Sequence, residues 1–168
     1  MVATTDTLTL APSVVDPGDN IVCRVTATDA DGGTDQGTDV VSIENSAPVV
    51  TDVQITPDTS VTTSTTLTCT ATATDPDGGT PSLSYQWAKQ AGGTGTPANI
   101  SSATTDTLTL SPTVVQPGDS ILCRVTATDS SGDTDQSTDS VTITNSRPVV
   151  TSVQVTPDTG VTLSLIHI

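Results

Sequence analysis

Residues 66–74 read TLTCTATAT, in which threonines alternate without interruption with apolar or small side chains. Leu67, Cys69, Ala71 and Ala73 occupy the second set of positions. Because successive side chains of a β-strand point to opposite faces, this period of two predicts a strand with one buried face.

The same alternation recurs along the chain on both sides of this stretch. Its inward positions are Leu83, Tyr85 and Trp87, then Leu108 and Leu110, then Ile121, Cys123, Val125 and Ala127, and finally Val141 and Ile143. Turn formers separate the runs: Asp77-Gly78-Gly79, Gly92-Gly93, Pro117-Gly118-Asp119 and Ser131-Gly132. Short alternating strands separated by such turns predict an all-β, antiparallel domain.

The sequence repeats itself at an offset of 100 residues. Residues 3–62 match residues 103–162 without a gap, and 44 of the 60 positions are identical. A match of this extent indicates an internal repeat. The repeat unit has the size of one β-sandwich domain, which is about 100 residues.

The repeat divides the chain into four segments. We expect residues 46–145 to form a complete unit and residues 1–45 to be the C-terminal half of a preceding one. Residues 146–162 should supply the N-terminal strand of a third, truncated unit. Residues 163–168, LSLIHI, break the repeat and resemble a translated transposon-end adapter used in sequencing libraries, so we expect them to be non-native. An ordinary apolar tail is the alternative.

The composition is strongly acidic. Asp and Glu total 19 against 4 Lys and Arg, which gives a formal net charge of −15. Such a surface repels phosphate backbones and anionic lipids, so it argues against nucleic-acid binding and basic-patch membrane attachment, and it favours cations. No stretch approaches the roughly 20 apolar residues of a membrane span. The abundance of Thr and Ser adds to an expectation of an extracellular or cell-surface protein.

The inward positions bring Cys69, Trp87 and Cys123 into the order Cys, Trp, Cys, which resembles the immunoglobulin fold. The resemblance implies an immunoglobulin-like β-sandwich in which a Cys69–Cys123 disulfide joins the sheets and packs on Trp87. The tyrosine expected two residues before the second cysteine is replaced by Ile121. The segments TATDPDGG and VTATDSSGDTD are also similar to loops of bacterial cadherin-like and polycystic-kidney-disease-like repeats. Both resemblances imply tandem domains of a large secreted or surface bacterial protein.

Cys23 occupies the position of Cys123 in the earlier copy. Its disulfide partner would then lie on a strand upstream of Met1. A reactive thiol is the alternative, but it needs cationic surroundings, and the neighbouring sequence offers only Arg24 on the opposite strand face. A structural cysteine is therefore the favoured interpretation.

The chain lacks the residue combinations of common catalytic sites. No serine has a histidine partner within the repeat, since the single histidine, His167, lies in the final segment. No His and Cys cluster has zinc spacing, and no glycine-rich loop opens a helix. We therefore predict that the protein is not an enzyme.

Aspartates beside glycine turns suggest calcium, because hard cations prefer carboxylate oxygens. The sandwich topology places loops 75–79 and 129–135 at the end that faces a preceding unit. The predicted calcium ligands are Asp75, Asp77 and Asp129 from these loops, with Asp16, Asp19 and Glu44 from the preceding unit. The cadherin-like resemblance implies that calcium would stiffen this junction. Solvated Asp-Gly turns are the alternative.

The expected function is that of a structural spacer or adhesive stalk, whose main partners are the neighbouring repeats of the same chain. Short linkers containing Pro48 and Pro148 would limit flexibility between units. A ligand-binding accessory module for glycans or other surface proteins is the alternative. Sugar-binding modules stack sugars on exposed aromatic rings, and the alternation directs Tyr85 and Trp87 inward.

Overall fold

The structure is a computed structural model and describes residues 6–156 and 159–160. The expected adapter-derived tail, residues 163–168 with His167, lies outside the described residues. The described strands are β1 (Asn20–Thr28), β2 (Thr34–Ser42), β3 (Val49–Thr56), β4 (Thr66–Thr74), β5 (Ser82–Gln90), β6 (Ala98–Asn99), β7 (Thr107–Thr109), β8 (Ser120–Thr128) and β9 (Thr134–Thr142). The helical structure among these residues is one short 3-10 turn, Ala91–Gly93. The predicted all-β, antiparallel class is confirmed.

Two sheets share one core within residues 46–145. The first has the strand order β3-β4-β7, and the second has the order β6-β5-β8-β9. Side chains from both sheets form a single buried cluster that extends from Ile55 to Ile143. Two antiparallel sheets on opposite sides of one apolar layer make a β-sandwich.

Burial follows the alternation read from the sequence. In β8, the side chains of Ile121, Cys123, Val125 and Ala127 are all buried, and the residues between them are not. In β4, Leu67 and Cys69 are buried while the alternating threonines face outward or are half-buried. The period of two therefore identified the core face of both strands.

A disulfide joins the centres of the two sheets. Cys69 of β4 and Cys123 of β8 are bonded, with a Cα–Cα distance of 6.4 Å. Trp87 of β5 lies directly opposite Cys123 in the strand register and is fully buried, and its indole N–H donates to the Thr105 carbonyl at 2.8 Å. The cysteines are 54 residues apart. Closing a loop of that length stabilises the fold by about 4 kcal/mol in the chain-entropy model.

Two aspartates of β9 connect the edges of the two sheets. The Asp135 carboxylate accepts the backbone N–H of Val50 at 2.9 Å, and the Asp139 carboxylate accepts that of Ile55 at 2.8 Å. Both donors belong to β3, an edge strand of the first sheet, while β9 is an edge strand of the second. These bonds satisfy N–H groups that an open edge would offer to another chain.

Asp119 is the buried acidic residue of the unit, with 6% of its surface exposed. Its carboxylate accepts the backbone N–H groups of Gly92 and Gln116, each at 2.9 Å. These two bonds, with the charge of Lys89 as a smaller cause, lower the pKa of Asp119 below its usual value despite burial. The charged carboxylate therefore holds the 3-10 turn against the start of β8.

The segments that flank the complete unit do not bury their apolar residues. Strands β1 and β2 pair with the register of β8 and β9 shifted by 100 residues. Val25 and Val41 are 64% and 59% exposed, whereas their equivalents Val125 and Val141 are 0% and 5% exposed. Residues 146–156 form no strand, although the corresponding β3 does. In the complete unit that strand is paired with β4, and no strand pairs with residues 146–156.

Replacement of both Cys69 and Cys123 by alanine should lower the free energy of unfolding by about 4 kcal/mol, because the unfolded chain regains its loop-closure entropy. Urea unfolding monitored by circular dichroism measures the change. Cys23→Ala is the matched control, since Cys23 is a free and exposed cysteine. An unchanged stability of the double variant would contradict the proposed contribution of the disulfide.

Asp119→Asn should lower stability at pH 7 by about 1–3 kcal/mol, because the amide offers one acceptor oxygen to two N–H donors and carries no charge. Asp119 has a lowered folded-state pKa, so its contribution is present above the unfolded value of about 3.9 and is lost as the pH falls through the folded value. The difference between wild type and variant should therefore shrink at pH 2.5. Urea unfolding at both pH values tests this, with Asp106→Asn at an exposed position as the control. An equal difference at both pH values would show that the charge of Asp119 is irrelevant.

Candidate functional site

The linker that enters the complete unit contacts two acidic loops at one end of the sandwich. Loop 75–79 follows β4, and loop 129–133 connects β8 to β9. Asn45 and Ser46 of the linker hydrogen-bond to both loops. Both loops therefore lie at the end of the sandwich where the linker enters. We call their contacting residues the linker site: Asp77, Asp129, Ser131 and Asp133.

The side-chain amide of Asn45 lies between two carboxylates. Its Nδ2 donates to Asp129 Oδ2 and to Asp133 Oδ2, at 2.8 Å in each case. Its Oδ1 accepts the hydroxyl of Ser131 at 3.1 Å. Carboxylates can only accept hydrogen bonds, so the amide nitrogen must be the atom that faces them. The site therefore presents acceptors to one end of the amide and a donor to the other.

Ser46 extends this contact to the second loop. Its backbone N–H donates to Asp77 Oδ2 at 2.5 Å, and its hydroxyl donates to Asp77 Oδ1 at 3.3 Å. The next proline, Pro48, is fully buried. On the preceding segment, the Pro12 side chain lies close to Gly78, since a Cβ atom at that glycine would be 3.4 Å from Pro12 Cβ. The linker is thus held by the side chain of Asn45 and by both the backbone N–H and the hydroxyl of Ser46.

Asp129 shapes its own loop as well as binding the linker. Its Oδ1 accepts the backbone N–H groups of Ser131 and Asp133, each at 2.9 Å. Gly132 completes the turn with φ of +94°, a conformation that residues with a Cβ atom rarely adopt. Local hydrogen bonds therefore hold Asp129 in place before Asn45 binds to its second oxygen.

The linker contact also changes the acidity of Asp129. The Asn45 amide is the largest cause of a lowered pKa for this carboxyl; desolvation opposes it, and the loop N–H groups of Asp133 and Ser131 lower the pKa further. A hydrogen bond to the charged form favours that form. By linkage, protonation of Asp129 in acid must weaken its bond to Asn45.

The structure places the predicted calcium ligands in different surroundings. The predicted set is Asp16, Asp19, Glu44, Asp75, Asp77 and Asp129. Asp77 and Asp129 reach the linker, where N–H groups bind their oxygens, and Asp75 accepts the backbone N–H of Asp77 at 2.9 Å. Asp19 instead accepts the backbone N–H of Asp16 at 3.0 Å, within a turn of the preceding segment. In residues 6–156 and 159–160, no group of three or more Asp, Glu, His or Cys side chains is arranged to hold a metal ion. The calcium site stays a prediction.

The aromatic residues lie in or against the core. Trp87 is fully buried, and Tyr85 is partly buried against the core cluster. Sugar platforms need a ring face that is open to solvent. Trp87 therefore does not offer a surface for stacking a sugar.

The predicted ligand set includes two of the six residues that form the linker contact, Asp77 and Asp129. The other four are Asn45, Ser46, Ser131 and Asp133. One available signal was the recurrence of Asn-Ser at residues 45–46 and 145–146, immediately before a proline-containing strand entry in both copies. That recurrence indicates that the linker does more than separate two units.

No protein-family model matches the chain, and no curated protein matches its sequence significantly. Within the part of the chain that the structure describes, no helix is both long and apolar enough to cross a membrane. The sandwich, the repeat and the linker contact are therefore the observations that bear on function.

Trp87 is the single tryptophan, so its fluorescence reports on the core directly. We expect native emission at short wavelength, resistance to acrylamide quenching, and no response to added mono- or oligosaccharides, because the ring is fully buried. The urea-unfolded chain is the control and should be readily quenched. A sugar-dependent change in native emission would contradict the assignment of Trp87 to the core.

Proposed function

We propose that residues 46–145 are an immunoglobulin-like repeat of a structural spacer, one of several units arranged in series in a secreted or cell-surface protein of bacterial type. The observation that carries the proposal is the fixed linker at the entrance of the unit. Asn45 and Ser46 bind both end loops of the sandwich. A linker held in this way transmits position and force from one unit to the next.

The sandwich supports the immunoglobulin-like assignment. Counted from β3, the disulfide connects the second and sixth strands of the unit, and Trp87 lies on the third. These are the positions that the resemblance implies for the two cysteines and the tryptophan. A disulfide is also consistent with an oxidising, extracellular environment.

A self-contained unit suits a serial arrangement. All buried members of the core cluster lie between Ile55 and Ile143. The unit therefore needs no side chain from its neighbours to form its core, and copies can be added without altering those already present. Catalysis is no part of the proposed role.

The proposal is tested with chains that carry one, two and four copies of residues 46–145. A spacer requires the maximum dimension from small-angle X-ray scattering to grow by a constant amount of at least about 30 Å per unit, roughly the diameter of a 100-residue domain. Compact particles whose length does not grow with copy number would contradict it. Screening the same chains on glycan and surface-protein arrays tests the alternative, since saturable binding would indicate an accessory module.

Calcium is a separate arm of this experiment. If calcium stiffens the junction, millimolar calcium should raise the melting temperature and the scattering length of the two-unit chain. Asp75→Asn with Asp77→Asn should then abolish both effects. If neither quantity changes, these aspartates act as hydrogen-bond acceptors and turn residues.

A further inference from the structure

The linker site has a chemical requirement that few side chains can meet. The carboxylates of Asp129 and Asp133 accept hydrogen bonds from the nitrogen of the bound amide, and the hydroxyl of Ser131 donates to its oxygen. A carboxamide supplies two N–H donors and one oxygen acceptor. An aspartate in that place would add a third negative charge and no donor, and a lysine would supply donors but no acceptor.

Ser46 adds a second requirement. Its backbone N–H and its hydroxyl both donate to the carboxylate of Asp77. The residue after the amide must therefore have a free backbone N–H, which excludes proline, and a hydroxyl adds a further bond. Asn followed by Ser therefore gives each of the four residues of the site at least one hydrogen bond.

We propose that the linker site is a recognition surface for the Asn-Ser dipeptide of a preceding repeat, and that amide donors rather than a cation close the junction. The proposal deepens the spacer function and rests on it only in assigning Asn45 and Ser46 to the linker between two units. Its partner is a neighbouring copy of the same kind of domain. Its result is a fixed angle between units that does not depend on calcium.

The opposite end of the unit carries the matching dipeptide. Asn145 and Ser146 follow the last strand, as Asn45 and Ser46 follow β2, and both are exposed. They contact no following unit in the described part of the chain. Each unit therefore has a linker site at its entrance and an Asn-Ser dipeptide at its exit, which is the arrangement of a head-to-tail interface.

The first copy contains a natural variant of the loop. Loop 29–33 forms the same turn as loop 129–133. The Asp29 backbone N–H donates to the Gly33 carbonyl at 2.9 Å, and the Asp129 backbone N–H donates to the Asp133 carbonyl at 3.1 Å. Asp31 replaces Ser131, and Gly33 replaces Asp133. The earlier loop thus lacks one acceptor for the amide nitrogen and lacks the donor for the amide oxygen. It should recognise Asn-Ser poorly.

This difference supplies a variant that keeps the turn. Ser130→Ala, Ser131→Asp and Asp133→Gly together convert loop 129–133 to the composition of loop 29–33, which forms the same turn in the same chain. The full chain, uniformly labelled with nitrogen-15, is compared with this loop variant and with Asn45→Ala. Asn145→Ala is the matched control, because Asn145 is the same residue type in an exposed linker.

Hydrogen exchange of the Ser46 backbone amide is the first readout. Loss of the Asn45 contacts should raise its exchange rate about tenfold in Asn45→Ala and in the loop variant, as expected for loss of a hydrogen bond to a charged acceptor. The control should be unchanged. Urea unfolding measured alongside separates a local opening from a loss of the fold. Unchanged exchange in Asn45→Ala, or an equal change in Asn145→Ala, overturns the proposal.

The side-chain amide resonances of the two asparagines are the second readout. Those of Asn45 should move as the pH is lowered from 7 to 3 and Asp129 begins to protonate, and those of Asn145 should not. Calcium chloride at millimolar concentration should leave the Asn45 resonances in place. If calcium displaces them, the site binds a cation in preference to the amide, and the proposal is wrong.

A chain with two copies of residues 46–145 completes the test. In the first copy, Asn145 now precedes a linker site, so Asn145→Ala in that copy should raise the exchange rate of the following amide, that of Ser46 in the second copy, about tenfold, as Asn45→Ala does for Ser46 in the full chain. The same substitution in the second copy should have no effect. If Asn145→Ala in the first copy leaves the exchange rate unchanged while the scattering length still grows by a constant amount per unit, the recognition site is rejected and the spacer function is retained.

Discussion

Hydrogen bonds from N–H groups to aspartate carboxylates hold the loops, the sheet edges and the linker of this protein. With 19 Asp and Glu residues and only 4 Lys and Arg, most carboxylates cannot have a cationic partner. An N–H donor stabilises the charged form of a carboxylate in a similar way, and such bonds are stronger than those between neutral groups. Asp119 fixes a turn, Asp139 closes an edge and Asp129 binds the linker by this one interaction. The acidic excess is therefore part of the architecture as well as a source of repulsion.

The disulfide and the aspartates stabilise different regions of the sandwich. Cys69 and Cys123 connect the sheet centres in a core that contains one tryptophan and no phenylalanine. Asp135 and Asp139 connect the sheet edges by capping N–H groups of β3. Edge protection would matter in the proposed series of repeats, because neighbouring units would carry nearly the same strands and could exchange them during folding. A capped β3 is less available to a neighbouring unit than an open edge would be.

Local patterns predicted the strands well, and long-range bonds escaped prediction for a physical reason. Alternation in residues 66–74 and 120–128 gives each strand its inward face, because the side-chain period is a property of the strand itself. An Asp-Gly turn indicates where a carboxylate lies, but it does not indicate which donor reaches its free oxygen. Asn45 is 84 residues from Asp129, and Ile55 is 84 residues from Asp139. These contacts depend on how the strands and the linker pack. Residues 149–156, the counterparts of β3, form no strand, because a strand also needs a paired neighbour.

The differences between the two copies separate the requirements of the fold from those of the junction. The apolar inward positions of the last two strands and the residue after them are identical in both copies: Ile121, Cys123, Val125, Ala127, Val141 and Ile143 match Ile21, Cys23, Val25, Ala27, Val41 and Ile43. Loop 129–133 differs from loop 29–33 at three of its five positions. A change in a packed core costs up to several kcal/mol, whereas a change in an exposed loop that keeps its turn costs little. Substitutions at positions 31 and 33 can therefore alter which linker a unit accepts without weakening the sandwich. In a chain of such units, the order of neighbours can be specified by a few loop residues while every core stays the same.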